Sequence, residues 1–252
     1  MPISRDAFRH VPHIADEIVE PETSFYRITE DTIHKWDEMA RDAGNPDDWR
    51  IRREDREANR AQALAGRMDR DLWLFAYGSL MWDPAVLFDE VRIGTLLGYQ
   101  RRFCLILKFG RGSVDKPSLM VALDRGGQCE GLAFRIPAER VAQESETIWV
   151  RELIYGDYAP CFVQLDTPQG EIEALTFVAD PKGERYVPDL SGEETAQTIA
   201  KGGGWIGTNL EYLDSLMAHL KALGLSDPEM AAIHDRAREI AQEREALGLR
   251  PG

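Results

Sequence analysis

At residue 72 the chain changes character abruptly: LWLFAYGSL, residues 72–80, is an apolar and aromatic run that ends in Gly78-Ser79. A run this short and this continuously apolar, closed by a turn signal, predicts a buried strand feeding a tight turn. The text before it is the opposite. From Asp37 to Arg70 charges crowd together, as in DDWRIRREDREANRAQALAGRMDR, with few apolar positions and no buried stripe. This predicts a solvated stretch over 37–70, either an exposed helix carrying charge pairs four apart or a mobile segment, within a charged N-terminal extension, 1–70, that could be an autonomous arm or pack over the folded body. The folded body is expected to start near Leu72 and to span 71–245.

Within that body, strand-rich segments are expected at Val91–Lys108 and Leu119–Leu123. The latter should join Cys129–Ile136 through a hairpin turning at Gly126-Gly127. Pro137 is suited to the first helical position, with Glu139 in the first turn, so a helix is expected from there to about Glu152. Its less polar face carries Val141, Ser145, Ile148, Trp149 and Glu152, at offsets of 0, 4, 7, 8 and 11, one side of a helix. Beyond Tyr155-Gly156-Asp157, two alternating runs flank Thr167-Pro168-Gln169-Gly170, a hairpin signal. A loop over Asp180–Ser191 and helices over Glu193–Lys201, around Leu210–Leu220 and after Asp227-Pro228 complete the reading, with a break at Gly202–Gly204.

Composition excludes several classes. Over 252 residues, 30 Lys and Arg stand against 44 Asp and Glu, a net charge of −14, which would repel the phosphate backbone of a nucleic acid. No apolar run approaches the roughly 20 residues that cross a bilayer, and the opening MPISRDAFRH lacks a signal peptide's apolar stretch, so a soluble cytoplasmic protein is expected. Cys104, Cys129 and Cys161 are too scattered for a disulfide framework or zinc knuckle and read as small buried hydrophobes. The five histidines form no ligand pair at helical spacing. These spacings give no expectation of a metal site.

Two features could carry chemistry. Glu152, on the buried face of its helix, would lose solvation, gain pKa and exchange protons near neutrality. The competing reading is a structural ion pair, with Arg151 as the nearest cation, although Arg151 projects at a different helical angle. The Tyr77-Gly78-Ser79-Leu80 turn is the second: glycine admits close backbone approach, successive N–H groups can cradle a carboxylate or oxyanion, and Ser79 adds a hydroxyl. An ordinary strand-ending turn is the alternative. Ser79 lacks the flanking glycines of a nucleophile elbow, and Gly202–Gly204 follows Lys201 where a phosphate-binding loop would precede it. Tyr158 and Tyr186 offer phenolic hydroxyls that could serve packing as well as ligand contact.

Taken in order, WLFAYGSLMWDPA, GYQRRFCL, the WVREL run with a tyrosine further on (Trp149 to Tyr158) and GTNLEYLDSL resemble the ChaC-type gamma-glutamylcyclotransferases. The resemblance covers about Leu72 to Ile240 and leaves the first 70 residues unaccounted for. It implies an α+β fold, a mixed β-barrel flanked by helices, and cleavage of glutathione to 5-oxoproline and cysteinylglycine without metal or cofactor. By motif position it implies Glu152 as the catalytic glutamate, Tyr77, Gly78, Ser79 and Leu80 as the substrate-binding loop, and Tyr158 and Tyr186 as pocket tyrosines. Competing readings are a cyclotransferase for other gamma-glutamyl amines or amino acids, and a module that binds gamma-glutamyl compounds without cleaving them.

Overall fold

The computed structural model describes residues 2–248. They fall into two compact units, Met1–Tyr99 with Gly126–Val178 and Gln100–Arg125 with Ala179–Gly252. A five-stranded sheet of β1 (Leu72–Ala76), β2 (Glu90–Leu107), β3 (Ser118–Ile136), β4 (Tyr158–Leu165) and β5 (Ile172–Ala179) has the order β2-β3-β1-β5-β4.

In the first unit β1 is the central strand. It pairs antiparallel with β3, Leu72 opposite Ile136 through Ala76 opposite Leu132, and parallel with β5, Trp73 opposite Ala174. Such a strand is covered on both faces, so its sequence is continuously apolar with no alternation. Leu74, Phe75 and Ala76 are fully buried. The sheet order also returns on itself. Thr95 of β2 and Asp166, just past β4, exchange backbone hydrogen bonds of 2.8 and 3.0 Å, linking the two edge strands. The mixed, curled sheet expected from the resemblance is therefore present.

Two local expectations are corrected. Gly126 and Gly127 do not end a strand; β3 runs through them as one element. Both have positive φ, 122° and 52°, and glycine can absorb such an irregularity inside a strand as readily as in a turn. Pro137 precedes one 3₁₀ turn, Ala138–Arg140, and the α-helix itself begins four residues later.

The larger correction concerns the stretch over 37–70, which is not solvated throughout; it and the residues before it share the first unit with β1. They form α1 (Glu30–Asp42), α2 (Arg53–Ala63) and two short 3₁₀ turns, and they bury Phe8, Val11, Ile14, Ile33, Trp49 and Leu64. Each large apolar side chain so buried contributes roughly 1.5–3 kcal/mol. α2 packs on α3 (Val141–Glu152) through polar groups. Trp149 donates its indole N–H to Asn59 at 2.8 Å, Arg60 donates to the Ser145 hydroxyl at 3.0 Å, and Arg56 is 2% exposed. A helix docked by Asn and Arg shows no apolar stripe, which is why the segment reads as solvated.

The second unit holds α4 (Gly192–Lys201), α5 (Asn209–Ala222) and α6 (Pro228–Ala246). Each starts on a side-chain cap: capping boxes at Ser191 and Thr208, and Asp227 before Pro228. The glycine break after α4 becomes a two-stranded ribbon, β6 (Gly203–Gly204) with β7 (Gly207–Thr208). Asn209 is fully buried and both donates to and accepts from the Leu119 backbone, at 2.8 and 2.6 Å. Cys104 and Cys129 are buried, whereas Cys161 on β4 is partly exposed. Among the described residues no helix is long and apolar enough to cross a membrane.

Candidate active site

Where β1 ends, Tyr77 and Gly78 lead into a single 3₁₀ turn, Ser79–Met81. Tyr77 is buried and its hydroxyl donates to the Phe177 carbonyl at 2.8 Å, fastening the turn to β5. Gly78 accepts from Met81 N–H, and the Ser79 carbonyl accepts from Asp83 N–H at 3.0 Å. Leu80 packs inward at 5% exposure. Ser79 alone of these four is only partly buried. Two residues beyond Asp83, Ala85 takes φ of +58°, a conformation that costs a non-glycine residue roughly 1–2 kcal/mol.

Glu152 is the last residue of α3, and its side chain is 13% exposed. The buried stripe is as the spacing predicts, with Val141, Ser145, Ile148 and Trp149 all at 1% exposure or less. Burial pushes the Glu152 carboxyl above the usual carboxylate range, and the adjacent Arg151 charge pulls partly the other way.

Arg151 joins the two features. Its Nε lies 3.2 Å from Glu152 Oε1, one Nη donates to Ser79 Oγ at 2.9 Å, and the other donates to the Asp83 carbonyl. The ring of Tyr26 lies beneath the guanidinium, 4.4 Å from its centre to the ring centroid. The ion pair weighed from sequence therefore exists. Its helical angle did not prevent it, because the long side chain reaches along the helix end. The pair coexists with a raised Glu152 pKa, since one laterally placed cation does not offset the desolvation.

Three groups were missed. Glu144 is completely buried on α3 and accepts from both terminal nitrogens of Arg27, at 2.9 and 3.2 Å, and from Leu87 N–H at 3.1 Å. It stands at offset 3 from Val141, on the same stripe, and an apolar criterion passes over it. Asp83 is buried, accepts from the Ser24 hydroxyl at 2.6 Å, and has its pKa raised by desolvation. Tyr26 carried no signal beyond lying in the N-terminal extension.

Of the two tyrosines, Tyr158 opens β4 six residues after Glu152 and is half-buried. Tyr186 belongs to the second unit. There it pairs with Leu105, and its hydroxyl lies 3.0 Å from both Asp124 oxygens, a carboxylate that also holds Arg102. Burial first, and then this hydrogen bond, push the Tyr186 phenol up to about 12. Among the described residues no cluster of three or more His, Cys, Asp or Glu side chains is placed to hold a metal ion.

The arrangement of sheet and helices is a gamma-glutamylcyclotransferase fold. A crystal structure of the gamma-glutamyl cyclotransferase specific to glutathione from yeast superposes with a TM-score of 0.63 at 18% identity, covering 69% of this chain and 98% of that one. The chain belongs to the ChaC-like protein family, whose profile matches residues 72–240. It is 41% identical over 202 residues to the glutathione-specific gamma-glutamylcyclotransferase of Escherichia coli K12, covering 79% of this chain and 87% of the relative. The human glutathione-specific gamma-glutamylcyclotransferase 1 is 35% identical over 171 residues, with 65% and 77% covered.

Proposed function

We propose that the chain is a glutathione-degrading gamma-glutamylcyclotransferase, with Glu152 as its proton-transfer group. The observation that carries the reading is a single poised carboxyl group. Glu152 is largely withdrawn from water, has a raised pKa, and shares a guanidinium with the Ser79 turn.

In a gamma-glutamyl amide the substrate's own amino group reaches its side-chain carbonyl and closes a five-membered lactam, so the nucleophile is already tethered to its target. No enzyme nucleophile is required. Glu152 as carboxylate takes a proton from the substrate ammonium, and the freed amine adds to the carbonyl carbon. As the tetrahedral intermediate collapses, the C–N bond to cysteinylglycine breaks, protonated Glu152 returns its proton to the departing nitrogen, and the ring nitrogen sheds its second proton, leaving a neutral lactam and cysteinylglycine as its ammonium form. A carboxyl group tuned upward by burial suits both transfers. The N–H groups of the Tyr77–Leu80 turn and the Ser79 hydroxyl are suited to the gamma-glutamyl group and the developing oxyanion. Tyr158 enters this reading through the motif position it occupies. The same steps would serve other gamma-glutamyl amines. Requirement for the glycine portion of the tripeptide separates the two substrate ranges.

The test is incubation of purified protein with reduced glutathione, following 5-oxoproline and cysteinylglycine, with Glu152→Gln alongside. Equal release of both products by the wild type, reduced by about 10² to 10⁴ in the variant, is the expected result. A folded wild type that releases neither product, or a variant of normal activity, overturns the reading.

A further inference from the structure

We propose that the N-terminal segment Val19–Arg27 is a positioning element for the candidate site, acting on Ser79 and Glu152 through the Arg151 guanidinium. It rests on the function proposed above and adds to it, because the segment lies outside residues 72–240, which carry the family match.

The residues that follow the turn after β1 are tied to this segment at three points. Val19 N–H donates to the Trp82 carbonyl at 2.8 Å, Ser24 donates to Asp83, and Arg27 donates to the carbonyl of strained Ala85 at 2.8 Å. Tyr26 N–H is turned back onto the Ser24 hydroxyl at 3.0 Å, which sets the ring's backbone in place. A guanidinium is planar, and its N–H groups define directions only within that plane. Here the in-plane groups are spent on Glu152, Ser79 and the Asp83 carbonyl. The Tyr26 ring face supplies the missing constraint, against tilting out of the plane. Without it Arg151 can rock, and the carboxylate and hydroxyl it spans lose their relative placement.

A second stretch of the N-terminal region braces the other flank. Ile51 N–H donates to the Ile154 carbonyl at 2.9 Å, and Trp49 packs edge-on against Tyr155. Gly156, at φ of +77°, is so close that a Cβ there would lie 2.6 Å from Ile51 Cδ1. The loop leaving Glu152 is thus also held from residues ahead of β1.

The experiment compares wild type, Tyr26→Leu and Tyr26→Phe in the full chain, reading kcat and KM for glutathione, Tm, and amide hydrogen exchange over residues 77–83 and 151–157. Leucine keeps an apolar body without a π face, whereas phenylalanine keeps the face. Expected is a loss on the order of tenfold in kcat/KM for Tyr26→Leu, faster exchange in both segments, and kinetics within about twofold of wild type for Tyr26→Phe. Wild-type kinetics and exchange in Tyr26→Leu overturn the proposal while leaving the function intact, as does an equal loss in both variants. If the wild type is inert toward glutathione, the function falls and the exchange data still decide: unchanged exchange in Tyr26→Leu overturns the brace, and faster exchange supports it. Should Tyr26→Leu fail to fold, Ser24→Ala, which removes both the hydrogen bond to Asp83 and the one that sets the Tyr26 backbone, decides by the same readouts.

Discussion

The first turn of α3 and its last turn each bury a glutamate, and the two differ in what meets them. Glu144 faces a guanidinium that supplies both terminal nitrogens, and a backbone N–H besides. Glu152 meets Arg151 through one nitrogen at 3.2 Å, while that cation's other groups go to Ser79 and Asp83. A carboxylate whose acceptor sites are filled by fixed donors is part of the scaffold. One that shares its cation and keeps 13% exposure retains capacity to take up and release a proton. Burial alone does not distinguish the two; the completeness of the hydrogen-bond partners does.

The contrast is sharpest where activity and stability are read side by side. Glu152→Gln is expected to lose activity by the 10² to 10⁴ already stated, with no loss of stability, because it removes a desolvated charge and keeps the shape. Glu144→Ala should do the reverse. Removing one partner of a buried pair costs about 3 kcal/mol, toward the low end because Arg27 keeps 26% side-chain exposure and can turn to water. Denaturant titration would show this, while kcat/KM of the folded fraction falls far less than in Glu152→Gln. Equal behaviour of the two variants in both assays would erase the comparison.

A smaller effect concerns pH. The Glu152 carboxyl holds its proton more tightly in the folded chain than in the unfolded one. Its stabilising contribution is therefore full below the unfolded pKa and is lost as the pH rises through the folded pKa. Glu152→Gln removes that loss, so its Tm advantage over wild type should grow as the pH rises above the ordinary carboxylate range. An advantage independent of pH would mean the carboxyl is not desolvated. The smallest effect is expected from Ser79→Ala, which deletes one hydroxyl among several donors and should weaken kcat/KM by roughly three- to tenfold. No change in kcat or KM would leave Ser79 a turn residue only.

Much of this arrangement was legible in the sequence. The unbroken apolar run of β1 and the Gly78-Ser79 that follows announced a buried strand and turn, and the offsets from Val141 put Glu152 on the inward face. Glu144 escaped because an apolar stripe has no place for a carboxylate that arrives with its own arginine. The N-terminal region escaped for a related reason: Asn59 and Arg60 do the docking that leucines would do elsewhere, and such groups carry no periodic signal. Gly126-Gly127 misled because the same dipeptide serves a turn or an irregular strand, and only the neighbouring strand decides which.

The pairing of Arg27 with Glu144, 117 residues apart, also sets an order of events in time. At about 5–20 residues per second of synthesis, roughly 6 to 23 s separate the emergence of the two partners. Contacts this distant in sequence are slow to close, because the intervening chain must first be brought together. The segment that steadies the turn is thus made well before its partner on α3, and the nascent chain carries Phe8 without its ring partner until Phe88 is made and Trp49 without its own until Tyr155 is.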